Sequence, residues 1–431
     1  MKRVLFVDDE PKVLEGLRRM LYSLRREWHV EFAEGGPQAL QRLAEVPFDV
    51  VVTDMRMPGM DGAELLHQVM ARHPDTVRIV LSGQCDRETV LKTVDPTHQF
   101  LTKPCEPETL RSTLAQVCKR REQLCDNWHR QLVSRVTSVP SHPLRYRQLI
   151  CELRSSGASL EQAGMLVAAD VGMTAKILQL VSSSFFGTPQ FVTDPTRAAS
   201  LFDLDTLRAL AFSTRAFSPF DACGVPLSFI EELNIHSAAV AAGARAIVLA
   251  EGGSAEEAGQ AYLAGFLHDI GLLVLTQHAP ERFIRLLETA VDEPLPLDVV
   301  ERAATAETHA EIGAYLMALW GLPGAIVDVI AFHHRPAASP AREFKPLAAV
   351  HVATAVDSEN FCETWGAPDQ PDTTYLAEIG VGAARFEQWS QACKKARQEV
   401  LAARHEAGGG APVDGAIAPA EDAAVVVPAG I

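Results

Sequence analysis

Five polar side chains, each following a short apolar run, constrain this chain's fold more than any other feature. Asp8 and Asp9 follow Val4–Val7, Asp54 follows Val50–Val52, Ser82 follows Ile79–Leu81, and Lys103 follows Phe100–Leu101. Short β-rich runs separated by helical patterns predict a parallel sheet. In such a sheet every strand ends on one edge, where open α/β folds place their sites. Three carboxylates, a hydroxyl and an ammonium therefore meet in one pocket. Three clustered acids repel one another more than one ammonium offsets, so a hard divalent ion is expected there, and Mg²⁺ suits an all-oxygen donor set. Helix capping accounts for Asp8 and Asp9, but not for polar residues at the other strand ends.

The segments VLFVDDE, VVVTDMRMPGMDG, RIVLSG and FLTKP resemble the response-regulator receiver family across residues 1–122. The resemblance implies an α/β domain with a five-stranded parallel sheet in the flavodoxin-like order 2-1-3-4-5. It implies Asp54 as the phosphoacceptor, with a sensor histidine kinase as donor. Asp9, Asp54 and the backbone carbonyl of Arg56 would hold Mg²⁺, with Asp8 acting through water. Lys103 and Ser82 would meet the phosphoryl oxygens, in keeping with a transfer that needs positioning and charge neutralisation. Phe100 takes the place of the switch aromatic, and Lys103–Pro104 that of a bond often cis in the family.

A length of 431 residues suggests two or three domains with proper cores. The apolar run near the N-terminus is too short for a signal peptide. No uninterrupted apolar stretch approaches the roughly 18 residues of a membrane span, so a cytoplasmic protein is expected. The eight cysteines show no CxxC and no metal-ligand spacing, which suits free thiols. A net charge of −16 opposes a large nucleic-acid footprint.

From Pro107 a helix is expected to run on, because Leu114, Val117, Leu124, Trp128 and Leu132 form one stripe and no Gly or Pro intervenes before Pro140. Such a helix either packs on its own domain or dimerises as a signalling helix, which would give a homodimer through the receiver and the linker. Residues 123–135 read as a helical linker and 136–404 as all-α, with lobes 136–220 and 221–404. The expected helices include 160–182, 230–251, 255–276, 280–290, 306–320, 326–334, 347–357 and 386–404, with no strand after residue 135. Residues 405–431, rich in Gly, Ala and Pro, read as a disordered tail.

The helical half places His236, His268, Asp269, His309, His333 and His334 among apolar residues. His236 shares a helix face with Val240, Gly243 and Ile247, so it should point inward. Buried imidazoles need partners, and one metal ion or one another would satisfy them. An adjacent His-Asp pair with further histidines is similar to the ligand set of the HD phosphohydrolases. VPSHPLRYRQLICEL, DVGMTAKILQLVSSSFFG, AGFLHDIG and HAEIGAYLMALWGLPGAIVDVIAFHH resemble the HDOD family over residues 136–360. That resemblance implies a signalling or scaffold domain that acts on a protein partner, with metal-dependent hydrolysis not general. HHRPAASP lacks the GYP-type motif of cyclic di-GMP hydrolases, and Thr354 stands at an expected Asp position, with Asp357 three residues on. Glu232, one turn before His236, is either a further ligand or an exposed helix acid. Three readings stay open for the histidines: a hydrogen-bonded cluster, bound Fe or Mn without turnover, and an active phosphohydrolase. The expected protein is a response regulator with a non-catalytic output domain; the alternative is a receiver-gated phosphodiesterase.

Overall fold

The computed structural model describes residues 2–83, 94–124, 126–182, 191–212, 216–221, 224–305, 307–339 and 346–406. The expected disordered tail therefore lies almost wholly outside the described residues. β1 (Lys2–Val7), β2 (Trp28–Ala33), β3 (Val50–Thr53), β4 (Val77–Ser82) and β5 (Gln99–Thr102) form one parallel sheet. Its order is β2-β1-β3-β4-β5, as expected. Val4–Val7, Val50–Val52 and Ile79–Leu81 are all buried. Such runs do not alternate because a parallel sheet is covered on both faces. Val7 pairs with Thr53 and Val80 with Phe100, so the strand ends reach a common edge. Asp61 caps the Gly62–Arg72 helix by accepting from Glu64 N at 2.8 Å. A Cβ at Gly62 would overlap the Asp54 carbonyl, so that helix approaches the phosphoacceptor position as closely as glycine permits.

The helix from Pro107 does not run on. It ends at Gln123, and a second helix, Asn127–Ser134, begins where Asp126 accepts from Trp128 N at 2.8 Å. A capping aspartate restarts the chain in a new direction without Gly or Pro. Leu114, Val117 and Leu124 are buried within the chain, and the Pro107–Gln123 helix packs on His309–Leu319 of the helical half. The first part of the stripe is therefore covered by the helical half as well as by its own domain, whereas Trp128 is partly exposed.

Other boundaries shift for similar reasons. The segment 160–182 is two helices, Leu160–Ala168 and Val171–Val181, bent by 114° at Asp170. Asp170 is buried and accepts from Met173 N and His142 N. The segment 255–276 breaks at His268–Asp269 into Ala255–Leu267 and Ile270–His278. A short helix, Leu297–Thr305, was not expected, and His309–Leu319 starts later than its pattern suggested. Pro140–Ser141 pairs in parallel with Ser218–Pro219; two-residue pairing needs no alternation to announce it. The cysteines 105, 118, 151, 362 and 393 are free thiols.

The segments 227–250 and 255–278, though neither is an uninterrupted apolar run, are long and apolar enough to cross a membrane by length and composition. Their most apolar windows are 61% and 83% buried inside the protein, and Leu227–Ala250 packs on Ala255–Leu267, Pro346–Ser358 and Ala383–Glu406. A helix apolar all round is what a helix surrounded by others requires.

The two halves share a polar junction. Gln179 Nε2 donates to Thr97 O and His98 O, at 3.1 and 3.2 Å. Arg78, fully buried, donates to Pro96 O and Ser134 O at 2.6 and 2.8 Å. Lys176, also fully buried, donates to Thr137 O at 2.6 Å and Val94 O at 3.3 Å. Burial lowers the Lys176 pKa to about 7, against a weaker upward pull from Asp95. Between that value and the ordinary 10.5 the unfolded chain binds more protons, so stability rises with pH across this window. Lys176→Met lacks that dependence. The variant's melting temperature minus that of the unchanged protein is expected to fall steadily from pH 7 to pH 9.5 in calorimetric scans.

Candidate functional site

At the carboxyl edge of the sheet, Asp8 and Asp54 are buried and Asp9 is half-buried. Lys103 Nζ lies 2.5 Å from Asp8 Oδ2 and also bonds Asp54 Oδ1. Burial disfavours the Lys103 charge, but its bonds to Asp54 and Asp8 outweigh this and raise its pKa. The Arg56 N–H donates to Asp54 Oδ2 at 2.6 Å, and the Glu10 N–H to Asp8 Oδ1 at 2.9 Å. Phe100 is buried on β5. Ser82 ends β4, and its side chain lies outside the described residues. The Lys103–Pro104 bond is cis. Asp8, Asp54 and Lys103 meet at this edge, and the two carboxylates offer hard oxygens, which fits Mg²⁺.

The histidines form the second constellation. Asp269, at the break between two helices, sits at its centre. Its Oδ2 faces His236 Nε2 at 3.6 Å and His268 Nε2 at 3.2 Å. Its Oδ1 faces His309 Nε2 at 3.2 Å and His333 Nε2 at 3.5 Å. His334 Nε2 lies 3.0 Å from His309 Nε2. The rings are oriented from behind. His268 Nδ1 meets Gly265 O at 2.7 Å and His333 Nδ1 meets Ile330 O at 2.8 Å. His236 Nδ1 meets Asp357 Oδ2 at 2.8 Å and His309 Nδ1 meets Glu301 Oε2 at 2.6 Å. A carbonyl or carboxylate only accepts, so each Nδ1 carries the proton, and in the neutral ring each Nε2 presents a lone pair to Asp269. Lone pairs facing a carboxylate repel unless a cation lies between them. Asp269 Oδ1 and His333 Nε2 have no hydrogen-bond partner among the described residues.

The electrostatics reflect that demand. Burial opposes the Asp269 charge, yet the imidazoles around it, His268 foremost and then His309 and His333, hold its pKa well below the usual carboxylate range. Burial also opposes charge on His309, but Glu301 and Asp269 raise its pKa well above normal. Burial takes His333 down to about 4. Without a metal, protons must share the space between these groups. Imidazole nitrogens around one bridging carboxylate suit a borderline transition metal, and Nδ1 bonds to carbonyls and carboxylates are the usual support for such ligands.

Asp357 meets the site as a supporting group behind His236. It orients His236 and is itself held by Arg397 Nη1 at 2.8 and 2.9 Å. Thr354 is buried nearby, its hydroxyl without a partner among the described residues. Glu232 is neither ligand nor free surface acid, since it accepts from Thr364 Oγ1 at 2.8 Å and Trp365 Nε1 at 3.0 Å. Sequence reasoning missed Glu301, Asp298, Asp369 and Arg397. Only Glu301, eight residues before His309 on an unrecognised helix, left a local signal. His236, Asp298, Trp365 and Asp369 help line a cavity of about 30 Å³ over the cluster, room for roughly one water.

A parallel sheet with an acidic edge is thus joined to a helical domain with a histidine centre. Residues 4–115 match the response regulator receiver domain and residues 139–336 the HDOD domain. The chain is a response regulator, a receiver domain fused to an HDOD domain. It is similar to an uncharacterized protein of Treponema pallidum, at 28% identity over 50% of this chain and 41% of that one. It is also similar to the hydrogenase transcriptional regulatory protein HoxA of Cupriavidus necator, at 34% identity over 36% of this chain and 31% of that one. Among solved structures, the signal receiver domain of an HD domain-containing protein from Pseudomonas fluorescens is 30% identical. It covers 28% of this chain and 98% of its own, with a TM-score of 0.27. The chain thus spans less than half the length of these curated relatives.

Glu301→Gln keeps an acceptor for His309 but removes its charge. Zn²⁺ affinity by titration calorimetry is expected to fall by about tenfold, the lower end for such supporting groups, with an unchanged circular dichroism spectrum.

Proposed function

We propose that a sensor histidine kinase phosphorylates Asp54, and that the receiver passes this change directly into the HDOD domain, which acts as a non-catalytic signalling or scaffold module in the cytoplasm. An Asp54 carboxylate oxygen attacks phosphorus, the bond to the kinase histidine breaks, and the imidazole leaves. Asp8, Asp9, Asp54 and the Arg56 carbonyl would hold Mg²⁺, which neutralises phosphoryl charge when bound. Lys103 stays within reach of the new phosphoryl oxygens, and Ser82 and Phe100 respond on β4 and β5.

The observation that carries this reading is the docking of the receiver's β5 face. Gln99 Nε2 donates to Ala318 O at 3.2 Å, Gln116 Nε2 donates to Leu322 O at 2.7 Å, and Arg120 pairs with Asp328. A strand and a helix that respond to Asp54 are thus bonded to the helices that carry His309 and His333. In hydrogen exchange, acetyl phosphate with Mg²⁺ is expected to alter protection across residues 309–332. Asp54→Asn should show no such change; identical behaviour of the two proteins would sink the proposal.

The lone pairs converging on Asp269 favour a second reading, a metal-dependent phosphohydrolase. Against it stands the small cavity over the cluster, with room for roughly one water. The expected outcome with Mn²⁺ or Fe²⁺ is binding without turnover of cyclic di-GMP or bis-p-nitrophenyl phosphate. Turnover that disappears in His268→Ala would favour the enzyme.

A further inference from the structure

Asp269 divides the histidine centre into two halves that hang on different scaffolds. His309 begins the helix whose last turn accepts from Gln99 at Ala318 O. His333 and His334 follow the Gly324–Phe332 helix, whose Asp328 pairs with Arg120. The Arg120 guanidinium also lies 5.8 Å from the ring of Phe332, the residue before His333. The linker reaches the same half from behind. Asp126 N donates to Glu307 Oε1 at 3.0 Å, and His129 Nδ1 lies 2.5 Å from Glu307 Oε2, two residues before His309. The other half is held elsewhere. His236 lies within Leu227–Ala250, and its partner Asp357 is clamped by Arg397 of the C-terminal helix.

We propose that Asp269, His309, His333 and His334 form a transition-metal site whose affinity is coupled to phosphorylation of the receiver, whereas the half built on His236, His268 and Asp269 does not respond to it. The ligand atoms of the first set lie within 4.8 Å of one another, as do those of the second. Imidazole with one carboxylate selects Zn²⁺, Fe²⁺ or a similar ion over Mg²⁺. Metal–nitrogen bonds tolerate only about 0.2 Å of error, while helices at such interfaces shift by about 1–2 Å between states. A small movement of the Gln99, Gln116 and Arg120 contacts therefore suffices to make or spoil one half. Coupling is reciprocal, so metal in that half changes how tightly the receiver holds a phosphoryl mimic. This inference rests on the receiver docking argued above.

The test titrates Zn²⁺ into the full chain by calorimetry, at fixed Mg²⁺, with and without beryllofluoride. Two Zn²⁺ sites are expected, one of which changes affinity by about fivefold or more with beryllofluoride, within the usual range of allosteric coupling. Asp54→Asn should abolish the change, and Arg120→Ala should weaken it while keeping both sites; both substitutions lie outside the histidine centre. His236→Ala should remove the unresponsive site and leave the responsive one. Absence of Zn²⁺ binding overturns the inference, as do two affinities indifferent to beryllofluoride, or a response lost in His236→Ala. If hydrogen exchange across 309–332 still follows Asp54 phosphorylation, such a result removes the metal coupling but leaves the signalling route standing. If neither responds, both fall.

Discussion

The helical half is built around one buried carboxylate. Placing Asp269 in a dry interior is costly unless cations or donors surround it, and the surrounding helices each deliver one imidazole to it. Leu227–Ala250 brings His236, Ala255–Leu267 ends on His268, His309–Leu319 begins with His309, and Gly324–Phe332 ends on His333. The close crossing of His309–Leu319 with Ile270–His278, the helix that follows Asp269, depends on Gly271, where a Cβ would overlap the carbonyl of His309. Each ring is then turned by an acceptor on its far side, so the orientation of the lone pairs belongs to the packing of whole helices.

The receiver repeats this logic with different chemistry. Asp8 and Asp54 are buried at a strand edge and balanced by Lys103. Here the balancing cation comes from the same sheet, two strands away from Asp54 in the sheet order, so the pocket is self-contained. What is not self-contained is its outer face. Gln99, Gln116 and Arg120 give their polar groups to the helical domain. Partly buried polar bonds of this kind add little net stability but cost something to leave unmade. They therefore favour one arrangement of the two domains over slipped alternatives, which suits a device that must report small changes.

Much of the receiver was legible because each clue was local. A parallel strand is a short apolar run, and the residue after it lies at the edge by geometry, so Asp8, Asp54 and Lys103 could be placed without knowing the packing. The helix breaks were less legible. Asp126 and Asp170 read as ordinary polar residues in apolar stripes, and only the fold shows that their side chains cap new helices. Asp357 shows the same limit at the site. Its spacing from Thr354 suggested a misplaced ligand, whereas Arg397, forty residues later, makes it the orienting partner of His236.

The amino-acid sequence by itself determined the two fold classes, the acidic strand edge and the set of histidines that turn inward. These follow from periodicity and residue type, which act over a few residues. Tertiary structure alone decided that Asp269 faces four Nε2 atoms, that Glu301 and Asp357 support them, and that the receiver docks on the helices of His309 and His333. Those facts depend on the angles at which distant helices cross. Crossing angles are set by the summed packing of many side chains, and no local stretch of sequence records that sum.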